Sequence, residues 1–250
     1  MAGPVIPHIN LLCLNEKDTA AFQTACTTYS LPTNISSGSI THHNHSMSTL
    51  HTSDTAPRGF DLVVSPANSH FLLDGGFDDA ISRQFSPAQD YYALTRHAQS
   101  TLYQRWRGYA PPGTCTIVSI PASFAETSRQ GGARWGCKWL ALCPTMRVPM
   151  DVSQCDAEVV YRCVWSLLCE IERHNRGKRE EGKEGEMVRS LLMTPLATGV
   201  GRVSREKWAA QLVLAIKHWS ESVEKAVEWG QVGWNLAERV AEEVERTYEL

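Results

Sequence analysis

Short apolar runs alternate with stretches of helical period along this chain, and that alternation sets the predicted elements. His8–Leu14 reads as a strand, and Glu16–Tyr29 as a helix with one apolar face from Ala20, Ala21, Phe22, Ala25 and Cys26. Phe60–Ser65 is an apolar strand followed by a short helix, Gly76–Phe85, and a second helix, Pro87–Trp106. Thr114–Ile120 is β-branched and bounded by Pro112-Gly113 and Pro121, so it predicts a strand. Trp139–Cys143 is the next strand, ending at Pro144. Cys155–His174 carries Val159, Val160, Cys163, Val164, Leu167, Leu168 and Ile171 at helical spacing. Val188–Thr194 is a strand, and Ser204–His218, Glu221–Trp229 and Asn235–Leu250 are helical.

Two polar stretches interrupt this pattern. Ser36–Pro57 is rich in Ser, Thr, His and Gly and predicts an exposed or disordered insertion. Arg176–Glu186 alternates Lys, Arg, Glu and Gly and predicts a solvated surface loop. Strands alternating with helices predict an α/β fold: a three-layer α/β/α sandwich with a mixed, mostly parallel central sheet. We expect one domain over residues 1–250, with insertions near 36–57 and 176–186 and a helical extension over 221–250.

Composition narrows the function classes. The chain is 42% hydrophobic, enough to fill a core. A net charge of −3 and a pI near 6.3 argue against nucleic-acid binding through an overall positive field. No eighteen-residue apolar stretch suggests a membrane span, and no leader pattern opens the chain. None of the eight cysteines forms a Cys-x-x-Cys pair, so free thiols are expected, in an intracellular compartment, cytoplasmic or nuclear. His42-His43-Asn44-His45, with His51 nearby, lacks Cys or acidic ligands at fixed spacing, so no metal site is expected, and no cofactor.

The chemistry concentrates in two segments. In the first, Leu62-Val63-Val64 runs into Ser65-Pro66-Ala67-Asn68-Ser69, then Asp74-Gly75-Gly76-Phe77-Asp78-Asp79-Ala80-Ile81. Asn68 offers a donor and an acceptor for a hydroxyl pair. Gly75-Gly76 lets backbone N–H groups approach a phosphate, and the following helix turns its positive end toward it. In the second, Leu191-Leu192-Met193 leads into Thr194-Pro195-Leu196-Ala197-Thr198-Gly199-Val200-Gly201, again a strand entering a small-residue loop before a helix.

The first segment resembles the first signature of the macro domain, the module that binds ADP-ribose. Ala197-Thr198-Gly199-Val200 is similar to that family's Ser-Thr-Gly-Ile loop. The two loops lie about 120 residues apart. The resemblance implies that Asn68 holds the distal ribose. It implies that Gly75, Gly76, Phe77, Ala197, Thr198, Gly199, Val200 and Gly201 line the ligand. It also implies that Asp78 sits where hydrolytic members place an acid. The implied partner is ADP-ribose or an ADP-ribosylated protein, with no nucleic acid or membrane; the oligomeric state is left open.

The implied activity is hydrolysis of an ADP-ribosyl ester or of ADP-ribose 1″-phosphate, with Asn68 and Asp78 as the catalytic candidates. The alternative is a non-catalytic reader of ADP-ribosylated proteins. Three departures bear on that choice. Asp74 stands at the family's first loop glycine, Gly201 stands at its usual aromatic, and its adenine-side acid has only Asn15 or Glu16 as a substitute. His70 is a further candidate acid, and Arg129 and Arg134 are candidate phosphate clamps.

Overall fold

The structure is a computed structural model that describes residues 6–50, 59–127 and 135–250. Six strands form one sheet: β1 (His8–Leu12), β2 (Ile40–His43), β3 (Leu62–Ser65), β4 (Thr116–Ser119), β5 (Trp139–Leu142) and β6 (Ser190–Met193). Their order is β2-β1-β6-β3-β5-β4. Every pairing is parallel except that of the edge strand β4 with β5. The chain steps outward from β1 to β2, then builds β3, β5 and β4 in the other half of the sheet. The late strand β6 fills the gap between β1 and β3.

The strands are apolar on both sides because both sides are covered. Leu62, Val64, Leu191 and Met193 enter one core. Val63 and Leu192, one residue out of step, enter the other. This period-2 division places α1 (Glu16–Thr28), α6 (Val159–Glu180) and α7 (Arg205–Glu224) on the first face, through Phe22, Cys163, Leu167, Trp208 and Leu212. Helices α3 (Gly76–Phe85) and α4 (Ala93–Trp106) cover the second face, through Ile81, Phe85, Leu94 and Leu102, and two shorter helices are α2 (Thr33–Ser36) and α5 (Ala122–Thr127). The architecture is the expected three-layer α/β/α sandwich with a mixed, mostly parallel sheet. Each fully buried Leu or Phe contributes about 2 kcal/mol of transfer free energy, so the two cores together hold the sheet between its helices.

The polar stretch after Ser36 is not all exposed insertion. Ile40–His43 adds as a parallel edge strand to β1, with Ile40 buried and His43 also buried. The His43 imidazole donates from Nε2 to Asn10 Oδ1 at 3.0 Å, and Asn10 Nδ2 donates to the Leu191 carbonyl at 3.2 Å. A histidine inside a low-complexity run is thus fixed to the sheet by a buried amide. His51 and residues 52–57 of this stretch lie outside the described residues, as do Arg129 and Arg134.

The charged stretch after His174 is partly helical as well. Helix α6 runs on to Glu180, and only then does the chain turn through a short 3-10 segment, Glu184–Glu186. Lys and Arg in the last turn of α6 suit the negative end of its dipole. Helix α4 begins at Ala93, six residues after the expected start at Pro87, and α7 extends to Glu224, past the expected His218.

The expected tail is docked onto the body. Helices α8 (Ala226–Trp229) and α9 (Trp234–Glu245) follow α7, and Leu236, Val244 and Thr247 are buried. Buried Gln211 of α7 donates to the Ala157 carbonyl and to Thr247 Oγ1, and accepts from the Tyr161 N–H. One side chain thus ties together the start of α6, the middle of α7 and the end of the chain. All eight cysteines are free thiols.

Candidate functional site

Parallel strands deliver their following loops to one edge of a sheet, and here four such loops meet. The ends of β1, β3, β5 and β6 open into a cleft of about 550 Å³. Leu12 and Leu14 come from β1, and residues from Pro66 to Ala80 follow β3. Thr145, Met146 and Pro149 follow β5, and residues from Thr194 to Gly201 follow β6. Ser46, Met47 and Ser48, beyond β2, complete one end.

The loop after β3 is held from several sides. Asn68 forms a parallel bridge with Met146 beyond β5, and the Ser69 N–H donates to the Met146 carbonyl at 2.9 Å. Phe71 is fully buried with φ +54°, and its N–H donates to the Asn68 carbonyl. The Asn68 carboxamide closes the same turn. Its Oδ1 accepts from the His70 N–H at 3.0 Å, and its Nδ2 donates to the Leu72 carbonyl at 2.8 Å. Asn68 therefore lines the cleft while stitching its own loop, which leaves one Nδ2 hydrogen for other partners.

Gly75 caps α3 from extended backbone, without a side-chain cap. Gly76 opens the helix at φ +56°, a left-handed conformation in which a Cβ would be strained. Asp78 and Asp79 follow in the first turn and point to different tasks. Asp79 is spent on Arg83 at 2.7 Å and the Tyr91 hydroxyl at 2.7 Å, and lies outside the cleft. Asp78 lines the cleft, is 6% exposed, and accepts from Ser65 Oγ at 2.6 Å. Burial pushes its carboxyl up to about 7. The Ser65 hydrogen bond opposes that rise and the nearby Asp74 charge adds to it.

The loop after β6 is a tight coil. Val203 N–H donates to the Ala197 carbonyl and Arg202 N–H to the Gly199 carbonyl, while Ala197 stands at φ +61°. Gly201 is required by close approach, since a Cβ there would lie 2.6 Å from the Ala197 carbonyl oxygen. Its own carbonyl accepts from the Val152 N–H, joining this loop to the segment beyond β5. Thr198 Oγ1 donates to the Pro195 carbonyl at 3.1 Å.

The amides matter most. Among the described residues, the backbone N–H groups of Gly76 and Phe77, and those of residues 198–201, donate to no protein acceptor. Two sets of unpaired donors, from loops about 120 residues apart in sequence, thus belong to the walls of one cleft. Such backbone groups suit an anion, with the α3 N-terminus adding its dipole. Gly75, Gly76, Phe77, Ala197, Thr198, Gly199, Val200 and Gly201 all line it together with Asn68 and Asp78.

Other sequence candidates fall elsewhere. His70 turns away, donating from Nδ1 to the Gly108 carbonyl at 3.1 Å beside the Tyr109 ring, and is not in the cleft wall. Asn15 caps α1, accepting from the Lys17 and Asp18 N–H groups, and neither it nor Glu16 reaches the wall. Sequence reasoning missed Met47, Thr145, Met146 and Pro149. The signal for the last three was available, because an apolar strand ending at Pro144 must release its next residues at the same sheet edge. Among the described residues no three His, Cys, Asp or Glu side chains converge as a metal-ligand set.

No family model matches the chain, and no curated protein matches it. Among solved structures, the chain is similar to a mutant macrodomain of Oceanobacillus iheyensis with ADPR. The sequence identity is 17% and the TM-score 0.45, over 64% of this chain and 70% of that chain.

Proposed function

We propose that the cleft binds ADP-ribose or an ADP-ribose derivative. One observation carries this reading: the unpaired amides of the two glycine loops share one cleft, across which a single diphosphate can be held. A volume of about 550 Å³ suits a nucleotide-sized ligand. Leu12, Leu14 and Met47 give the β1–β2 end an apolar wall for a flat base, and Asn68 stands at the β3–β5 end for the distal ribose. Gly75, Gly76, Phe77 and residues 197–201 surround the diphosphate. The order of residues in both loops, which resembles the macro domain, supports the same assignment.

Within that reading, Asp78 is the catalytic candidate for hydrolysis of an ADP-ribosyl bond. A carboxyl lifted to about 7 is half ionised near neutral pH and can take a proton from a water at the distal ribose. The engagement of both functions of the Asn68 carboxamide in its own turn favours the second reading, a non-catalytic reader of ADP-ribosylated proteins.

Calorimetric titration with ADP-ribose, against AMP and NAD, tests the binding. Saturable binding of ADP-ribose, clearly tighter than that of AMP, is expected, and no binding of ADP-ribose removes the proposal. Release of ADP-ribose from a mono-ADP-ribosylated protein separates the two readings. A loss of about a hundredfold in Asp78→Asn supports catalysis through this carboxyl. Equal release by both proteins takes Asp78 out of the mechanism, and release by neither leaves the reader.

A further inference from the structure

Charge is spread unevenly along this chain. Of its 24 Lys and Arg and 27 Asp and Glu, residues 91–150 hold seven of the first and one of the second, Glu126. The net charge of −3 thus conceals a basic segment within an otherwise acidic protein. That segment begins with α4. Tyr92, Arg96, Ser100 and Tyr103 are exposed and recur every three or four residues, so they share one face of the helix. Tyr103 is 60% exposed, and Tyr109, just past the helix end, is 40% exposed.

The C-terminal end of α4 adjoins the cleft. Ser69 and His70, the two residues after Asn68, are held from both sides. On one side His70 Nδ1 donates to the Gly108 carbonyl at 3.1 Å, and the Ala110 N–H donates to the Ser69 carbonyl at 3.0 Å. On the other, the Ser69 N–H donates to the carbonyls of Met146 and Arg147. Arg107 and Arg147 therefore flank one short segment directly behind the Asn68 turn. Both are exposed, and neither pairs with an acid among the described residues. The Arg107 guanidinium lies over the Tyr103 ring, 5.4 Å from its centroid. Arg96 and Arg105 are instead committed, to Asp90 and Glu170.

Resting on the ADP-ribose reading for its place beside the distal ribose, we propose that this surface docks an acidic segment of the protein that carries the ADP-ribosyl group. A guanidinium held flat over a ring presents a fork that matches a carboxylate. The exposed tyrosines beside it bury apolar side chains between such charges. Two uncommitted guanidinium groups suit a few carboxylates. They are too few to neutralise the row of phosphates by which nucleic acid is held, and the acidic remainder of the chain repels a long polyanion. A group attached to the distal ribose emerges beside Asn68, next to this surface. The two contacts are then covalently linked, so docking raises affinity through effective concentration.

The test compares the full chain with a double variant, Arg107→Glu with Arg147→Glu. Both side chains are exposed, and thermal melts check that the variant folds. The probes are ADP-ribose, a short labelled peptide of alternating Glu and Leu, and the same peptide carrying ADP-ribose through a linkage that resists hydrolysis. A modified peptide with Lys in place of Glu and a labelled single-stranded oligonucleotide are the controls. Wild type is expected to bind the modified acidic peptide at least about tenfold more tightly than ADP-ribose. The double variant should bind ADP-ribose unchanged and lose that gain, and in wild type the gain should shrink at high salt. Equal affinity of wild type for the modified acidic peptide and ADP-ribose overturns the docking surface while leaving ADP-ribose binding in place. So does a gain that survives in the variant, or one that the Lys peptide gives equally. Oligonucleotide binding that exceeds peptide binding and is lost in the variant assigns the surface to nucleic acid and overturns the acidic segment. If ADP-ribose does not bind, yet the unmodified acidic peptide binds wild type and not the variant, the ADP-ribose reading falls and the docking surface stands. Binding of no probe overturns both.

Discussion

Asp78 shows how a single residue can be placed at a cost to the fold. It is buried at the start of α3 with one hydroxyl partner, and its carboxyl is lifted from 3.8 to about 7. A raised carboxyl contributes stability fully below the unfolded value, near pH 4, and loses it as pH rises through about 7. A lift of that size corresponds to about 4 kcal/mol of lost stability at alkaline pH. Asp78→Asn keeps the shape and can still accept from Ser65 Oγ, but cannot ionise. The variant should therefore be more stable than wild type by about 2–4 kcal/mol at pH 8, and nearly equal to it at pH 4. Urea midpoints at the two pH values measure this. A variant no more stable at pH 8 would mean that the carboxylate is satisfied in the folded state. Asp79, one residue on, shares the same first turn, and in the sequence only the family resemblance set Asp78 apart from it. Helix phase separates them, since it turns Asp79 to Arg83 and Tyr91 at the surface.

At the scale of elements, the most informative contact is that of α9 with α7. Glu243 of α9 accepts from Lys217 at 2.7 Å, from the fully buried His218 at 3.2 Å and from Arg239 at 3.0 Å. Burial alone would raise the Glu243 carboxyl, but these three donors outweigh it and hold the group down to about 2. Burial lowers His218 in turn, against the pull of Glu243, so the ring is neutral at pH 7. Its Nε2–H then donates to Glu243 while Nδ1 accepts from the Tyr161 hydroxyl at 3.1 Å. A depressed carboxyl contributes stability above its unfolded value, near 4.5, and loses it as pH falls through about 2. Glu243→Gln should cost about 1–2 kcal/mol at pH 7, and that difference should shrink below pH 3. Thermal melts of the two proteins across this range check it. An unchanged difference at low pH would assign the loss to packing instead of charge.

At the scale of the molecule, the cleft exists because sheet order gathers what sequence order separates. Strand β6 is the last strand in the chain, yet it lies beside both β1 and β3. Its following loop consequently faces the loop after β3. Ligand binding should therefore act on both loops together. With ADP-ribose present, hydrogen exchange should slow at residues 76–78 and at residues 198–201 in parallel, with little change in α9. Protection of only one of the two loops would contradict a shared diphosphate.

Much of this was legible in the chain. Apolar runs at Leu62-Val63-Val64 and Leu191-Leu192-Met193 gave strands buried on both faces, because alternate side chains must enter opposite cores. Gly75-Gly76 and Gly199-Val200-Gly201 marked loops with free backbone donors, since Gly76 stands at φ +56° and a Cβ at Gly201 would meet the Ala197 carbonyl. Composition misled at Ile40–His43, where a polar run forms a strand, since an edge position needs only one neighbour and one buried side. It misled again at residues 176–180, where a solvated helix end needs no apolar stripe.

The local elements and the two anion-ready loops were thus determined by side-chain period and by glycine placement, both properties of short segments. Tertiary structure alone decided that β6 inserts between β1 and β3, that Asn68 is engaged in its own turn, and that His70 faces Gly108. It also decided that two carboxylates without a cation line the cleft among the described residues. These facts depend on contacts between residues far apart in the chain, and no local pattern encodes which distant partner a strand or side chain will meet.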